Sequence, residues 1–434
     1  MGTSAFEPGA VLARLRELPG GRELLDAAAQ RDDVELVGGA VRDLAFGRTP
    51  RELDVVVSGE AQAFARELAS RLGSLAGENP HERAESTLHE RFGTALVWSD
   101  SVRIDIATRR AESYPAPGAL PDVRDGTPEE DLRRRDFTIN AIAVALSGSR
   151  AGELRAAENA LDDLERGRLR VLHDASFLDD PTRLLRLARY RARLRFQIEA
   201  HTAELAAQAV AQGALATVSG ARIGAELRLA LSEPDALAAL AAMDDLGLLV
   251  ALDPRLGCWA IDRRQIVERA LALLPGDGRP DLLAMASLVL ALGAAPRSAD
   301  SDPRAETVAL LDRLEFAAGD RDRVAAAASA APRLMDELPA AERPSQLRAL
   351  AAGTPPEGIA LAGGASERAT EPARRWLAEL RHVRLRIDGD DLLAAGIPQG
   401  PEIGHRLEEV LRARLDGEVP DERDAQLRAA LRGS

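Results

Sequence analysis

The sequence predicts an α+β chain, with a small mixed sheet confined to the first third and helices alone thereafter. Three observations carry this. Short apolar runs of strand character occur up to about residue 150 and nearly vanish beyond it. The chain is rich in Ala, Leu and Arg while aromatic residues make up 3%, which favours helices over a β-sandwich. Its 434 residues exceed one ordinary domain and provide for two to four.

In order along the chain, "VELVGG" and "ELDVVV" read as short strands and "AQAFARELASRL" as an amphipathic helix. "GTALVW" and "VRIDIAT" read as an adjacent strand pair, and "DFTINAIAVAL" as an apolar stretch whose pattern suits either type. Glu112 to Leu132 is dense in Pro and Gly and lacks a period. It is expected to be a long loop, a feature often functional inside a compact domain. "DDPTRLLRLARYRARL" starts a helix, with Asp179 or Asp180 as cap and Pro181 in the first turn. Arg183, Arg186, Arg189 and Arg193 are spaced by three, three and four, so they share a face. The apolar run Leu282 to Ala295 is too short to span a bilayer and predicts a buried helix. An amphipathic helix near the end carries Ile403, Leu407, Val410, Leu411 and Leu415.

Composition narrows the chemistry. All 56 basic residues are Arg, so mechanisms needing a catalytic lysine, P-loop NTPases included, are excluded. A net charge of −14 disfavours a general nucleic-acid coat protein but leaves room for a local basic surface. The single Cys258 excludes an internal disulfide and cysteine-rich zinc sites. The six histidines show no paired ligand spacing. The N-terminus lacks a basic-then-apolar signal. A cytoplasmic protein with no membrane partner is the expectation.

Glu52 and Asp54 are the first candidate site. Residues two apart on a strand project from one face. Two converging carboxylates repel, and one would hold a proton unless a cation sits between them. Hard divalent ions take such oxygens together with substrate phosphates. Asp105, on another expected strand, can join them or act as base, the layout of two-metal phosphoryl transfer. A turn at Gly38 and Gly39 would let phosphate oxygens approach backbone N–H groups. Taken alone, the Glu-Leu-Asp phrase reads as an ordinary solvated strand edge.

"VGGAVRDLAFGRTPRELDVVV" resembles motif A of class II tRNA nucleotidyltransferases (the CCA-adding enzymes) and of the related bacterial poly(A) polymerases, including the turn that carries Arg42. "DLRRRDFTINAIA" resembles motif B, which places Arg135, Asp136 and Asn140 at ribose-contacting positions. "DDPTRLLRLARYRARLRF" resembles motif D, with Asp180 and Arg183 as the base-reading pair. "VSGARIGAEL" resembles motif E, with Arg222 and Glu226, and "IDGDDLLAAGIPQGPEIG" resembles the C-terminal segment. The matches are collinear and span most of the chain.

The resemblance implies a catalytic nucleotidyltransferase head over 1–150. A helical neck over 151–235 would recognise the base, followed by a helical body over 236–350 and a tRNA-binding tail over 351–434. It implies Mg²⁺ on Glu52 and Asp54, tRNA, CTP and ATP as partners, and template-independent addition of CMP and AMP. Gly38, Gly39, Arg42, Arg135, Asp136, Asn140, Asp180 and Arg183 would contact the nucleotide; Arg222 is a further candidate there, although with Glu226 it more readily supports the neck. Motif D has a direct rationale. Cytosine and adenine each offer an amine beside a ring acceptor, matching Asp180 and Arg183. Uracil and guanine reverse that pattern, leaving buried polar groups unpaired at roughly 1–3 kcal/mol each. The alternative is that Asp180 only caps its helix and Arg183 is solvated. Arg186, Arg189 and Arg193 either meet RNA phosphates or form a solvated face. Arg109 and Arg110 either hold triphosphate or are ordinary loop charges.

Two departures keep alternatives open. Glu52 stands where the family usually has Asp, and "AENALDDLERGRLR" stands where motif C is expected. A CC-adding or A-adding half-enzyme, a poly(A) polymerase and a catalytically inactive RNA-binding paralogue are the other readings. "LHERFGTALV" is less basic than the polymerase phrase and argues against polyadenylation.

Overall fold

The structure is a computed structural model that describes residues 7–75, 85–89, 93–99, 102–146, 148–257, 261–294 and 302–432. Cys258, part of the "LHERFGTALV" phrase and the end of the apolar run at Ala295 lie outside these residues. The chain divides into two compact units, 1–219 and 220–434.

The first unit is built on a mixed seven-stranded sheet with strand order β3-β4-β5-β2-β1-β8-β9. Its strands are β1 (Glu35–Val37), β2 (Leu53–Val57), β3 (Glu85–His89), β4 (Thr94–Ser99), β5 (Val102–Thr108), β8 (Ile142–Ala145) and β9 (Leu154–Ala156). β2 and β5 run parallel, and the other neighbours are antiparallel. The expected "GTALVW"/"VRIDIAT" pair is the β4–β5 ladder. The stretch of ambiguous pattern is a 3₁₀ turn, Thr138–Asn140, followed by β8. β9 carries the sheet a few residues past position 150.

Burial alternates where the sheet has one covered face. On β5, Ile104 and Ile106 are buried while Arg103 and Asp105 point the other way. Leu53, Val55 and Val57 are buried along one side of β2. On its other side Val56 packs with Val37, Leu132, Ala141 and Ala143. Helices α1 (Pro8–Glu17), α2 (Gly21–Ala28), α3 (Gly39–Ala45) and α4 (Ala61–Leu75) belong to this unit. Phe64 and Leu68 of α4 are fully buried.

The Pro/Gly-rich segment expected to be a long loop is ordered structure. Arg110–Ser113 (β6) and Asp122–Asp125 (β7) form an antiparallel hairpin, and α5 (Pro128–Arg133) follows with a Thr127/Glu130 capping box. Period-2 alternation is missing because β7 is exposed along its whole length, so nothing selects apolar residues on one face. Helices α6 (Ala160–Arg166), α7 (Ser176–Asp179), α8 (Thr182–Leu194) and α9 (Ala200–Ala211) complete the unit.

The second unit is helical throughout its described residues, starting with α10 (Gly220–Leu231). The helix Pro280–Ala294 is buried from Leu282 to Val289, as the apolar run predicts. The helix Pro356–Ala365 is buried from Glu357 to Gly364. A Cβ at Gly364 would stand 2.3 Å from the Ile266 carbonyl oxygen, so glycine there lets two helices touch backbone to backbone. Glu357, fully buried, accepts from Arg323 Nε at 2.8 Å and from the Arg279 backbone N–H at 2.7 Å. Near the end, Ile387, Leu392, Val410 and Ala430 form a small core of their own.

Candidate active site

Gly38 ends the β1 segment with φ +70°, a conformation that L side chains rarely adopt. A Cβ there would stand 2.9 Å from Arg135 Nη1 and 3.6 Å from Asp54 Oδ2. The turn therefore brings backbone against both a cation and a carboxylate.

Asp54 and Asp105 are partners in the parallel β2–β5 register. Glu52, two residues before Asp54, shares its face. Ligand oxygens of Glu52, Asp54 and Asp105 all lie within 4.8 Å of one another. Burial, then the charges of Glu52 and Asp105, push the Asp54 carboxyl up to about 7 against the opposing pull of Arg135 and Arg186. Three hard oxygen donors that disfavour each other's ionisation make a donor set suited to a divalent cation.

Beside the carboxylates runs a chain of buried and half-buried polar side chains. Arg135 donates from Nη2 to Asp131 Oδ2 at 2.9 Å, while Nη1 stays toward Gly38. Asp136 accepts from Asn140 Nδ2 at 2.9 Å and from Arg186 Nη2 at 2.6 Å. Burial alone would raise the Asp136 carboxyl, but the Arg186 charge and the bonds from Asn140 and Arg186 hold it at about 2. Asn140 Oδ1 in turn accepts from Arg42 Nη1 at 2.5 Å.

Arg42, expected at the nucleotide, is 1% exposed and donates to Asn140, with Nε bonded to Asp43 Oδ1 at 2.9 Å. Gly39 flanks the Arg42 guanidinium. The arginine stripe on α8 is not a solvated face. Arg183 and Arg189 are buried, Arg186 holds Asp136, and Arg193 pairs with Asp43 at 3.1 Å. Arg109 is not an ordinary loop charge. It is buried, pairs with Glu35 at 2.9 Å and donates to the Asp33 carbonyl at 2.8 Å. Arg110 bonds Glu112 at 2.9 Å.

Asp180 and Arg183 stand at the start of α8. Asp180 Oδ1 accepts from the Thr182 N–H at 3.1 Å, so it does hold the helix start. Arg183 is buried rather than solvated. It donates to Ser176 Oγ and to the Arg134 carbonyl, both at 2.7 Å. Arg222 and Glu226 lie one turn apart on α10 in the second unit, with Glu226 buried.

Four residues escaped the sequence reading. Arg103 donates to Asp105 Oδ2 at 3.1 Å and reaches Glu52 Oε2 at 3.4 Å. Its place two residues before Asp105 on a strand was the available signal. Asp131, 2% exposed, holds both Arg134 and Arg135, a pairing that i,i+3 and i,i+4 helix spacing could have flagged. Asp43 had no such local signal as the partner of Arg193. Asp163, in the segment standing where motif C is expected, is fully buried and accepts from Thr138 Oγ1 at 2.8 Å. It thereby fixes the turn that carries Asn140.

Residues 34–170 match the family model described as the poly A polymerase head domain. The A-adding tRNA nucleotidyltransferase of Geobacter sulfurreducens is 34% identical over 429 residues, covering 94% of this chain and 46% of that protein. The multifunctional CCA protein of Xanthomonas euvesicatoria pv. vesicatoria is 31% identical over 419 residues, covering 86% of this chain and 96% of that protein. The solved structure of Thermotoga maritima CCA-adding enzyme complexed with tRNA superposes with a TM-score of 0.74 at 28% identity, covering 97% of this chain and 98% of that one. The chain spans about half the length, or less, of the first A-adding relatives it matches.

Proposed function

The chain belongs to the family of tRNA nucleotidyltransferases and bacterial poly(A) polymerases, and we propose that it builds or repairs the 3′ CCA end of tRNA by template-independent transfer of CMP and AMP from CTP and ATP. The observation that carries this is the convergence of Glu52, Asp54 and Asp105 beside Gly38 and Arg135. The family's chemistry uses a divalent metal, and we assign Mg²⁺. Held by Glu52 and Asp54, with Asp105 completing the cluster, it would supply charge neutralisation for phosphoryl transfer.

In this reading the RNA 3′-OH attacks the α-phosphorus of the nucleotide, its proton passes to Asp105 or solvent, and pyrophosphate leaves. Arg135, held by Asp131, directs Nη1 toward the sugar beside the Gly38–Gly39 turn, where triphosphate oxygens approach the backbone. Asp136 and Asn140 hold the sugar from a preformed network in which Arg42 fixes Asn140, so no reorganisation is needed on binding. Asp180 and Arg183 read the base. Arg183 would exchange its Ser176 bond for the ring nitrogen, which keeps the buried guanidinium paired throughout. Arg222 and Glu226 support the neck. The head, neck, body and tail divide near residues 150, 235 and 350, with the head extended to include β9. The cytoplasm is the compartment this reading implies. Among the described residues no helix is long and apolar enough to cross a membrane.

A second reading, addition of the terminal A alone, is favoured by the similarity over 94% of the chain to the Geobacter A-adding enzyme. One experiment separates the two. Transcripts of tRNA ending before CCA, after C and after CC are incubated with Mg²⁺ and CTP, ATP or both, and read at single-nucleotide resolution. Completion of all three supports full CCA synthesis. Extension of only the CC-ended transcript assigns A addition, and a stop after CC assigns the complementary half. Long A tails on unrelated RNA would move the chain to the polymerases. No extension, with tRNA binding intact, would overturn the catalytic reading.

A further inference from the structure

Arg103 has a place in this site that no motif assigns. It precedes Asp105 by two residues on β5, and the register pairs Leu53 with Ile104 and Asp54 with Asp105. One step earlier along the same ladder Glu52 lies beside Arg103, on the face that Asp54 and Asp105 share. The guanidinium lies 3.1 Å from Asp105 Oδ2 and 3.4 Å from Glu52 Oε2. Its side chain is 55% exposed, so it can leave without disturbing the core.

We propose that Arg103 is an internal counter-ion of the carboxylate cluster, competing with the divalent metal for Glu52 and Asp105 and so setting the metal concentration at which the site loads. The inference rests on the metal reading of the cluster. Its physical basis is that one set of oxygens cannot serve a guanidinium and a divalent ion at full strength together. Arg103 offsets carboxylate repulsion by donating along the strand, and a metal offsets it by coordination. Whichever holds Glu52 and Asp105 displaces the other, and the displaced guanidinium turns to solvent at the site's mouth. Glu52 fits this role. Its extra methylene, relative to Asp, lets the carboxylate follow either cation.

The test uses the full chain without nucleotide and Mn²⁺ alone as probe, with free Mn²⁺ counted by its electron paramagnetic resonance signal. Arg103→Gln removes the competing charge and is expected to tighten Mn²⁺ binding by about two- to fivefold. Arg103→Lys keeps the charge and should bind nearly as the parent chain does. A purely structural role would predict weaker binding in both variants. Equal or weaker Mn²⁺ binding by Arg103→Gln, with the fold intact by circular dichroism, would overturn the proposal and leave the metal site standing. So would an Arg103→Lys chain as tight as Arg103→Gln. Binding unaffected by Asp54→Asn in the parent chain would overturn the metal reading and this proposal together.

Discussion

Asp54 and Asp105 face each other in register across the one parallel strand pair of the main sheet, β2 and β5. Antiparallel neighbours surround that pair on either side. Parallel pairing starts both strands at the same edge, so two carboxylates from distant parts of the chain arrive at one place with Glu52 beside them. Catalytic potential at this edge follows from strand direction as much as from residue identity.

Asp54→Asn should leave the fold intact and lower nucleotide incorporation by about a hundredfold or more, since a central charge-bearing ligand is lost. Glu52→Asp retains a carboxylate and should stay within about tenfold of the parent rate. Single-turnover incorporation with a tRNA ending in CC measures both.

The Asp54 carboxyl titrates near 7, above the ordinary carboxylate value of 3.8. A raised folded value means that its contribution to stability is full below about 3.8 and is lost as pH rises through about 7. In chelator the melting temperature should therefore fall between about pH 4 and pH 7 and level off above, and Asp54→Asn should flatten that fall. Metal binding must displace the proton, so apparent Mg²⁺ affinity should weaken by up to about tenfold per pH unit below 7. Calorimetric titration at pH 6 and pH 8 would show the difference, with protons released at the lower pH.

Arg186→Gln should destabilise the first unit, because it strips the main cation from the buried Asp136. Loss of one partner of a fully buried pair costs about 3–5 kcal/mol. Arg186 is partly exposed, so a loss of about 2–3 kcal/mol in urea titration is expected. Asp136 should also titrate upward, away from about 2. Its contribution, present above the ordinary carboxylate value and lost as pH falls through 2, would then be lost at milder acidity. Nucleotide KM should rise more than kcat falls, since Asp136 is assigned to the sugar.

Gly38→Ala places a methyl 2.9 Å from Arg135 Nη1 at a φ of +70°. The backbone conformation costs about 1–3 kcal/mol, and Arg135 must shift away from the carboxylates. Activity should fall more than thermal stability does. Parallel measurement of the two losses checks this, and an Ala variant as active as the parent would remove Gly38 from the site.

The mixed sheet, the helical remainder and the Glu52–Asp54 pair were legible in the sequence because each expresses a local period. Alternation along a strand needs only neighbouring residues, and the buried helix at Leu282 is likewise a continuous run. Where packing does not impose a period the reading failed. The exposed β7 strand carried no alternation, so an ordered hairpin and helix passed for a loop. The α8 arginines had the spacing of a surface stripe, yet their partners are Asp136, 50 residues before Arg186, and Asp43, 150 residues before Arg193.

By itself the sequence determined which chemical groups are present, their order along the chain and which of them share a strand or helix face. Tertiary structure alone decided that Asp105 joins Glu52 and Asp54, that Arg103 sits between two of them, and that Arg183 and Arg186 turn inward. Those outcomes depend on strand direction, on register and on the need to pair every buried charge. Such constraints act between segments far apart in the chain, where no local period records them.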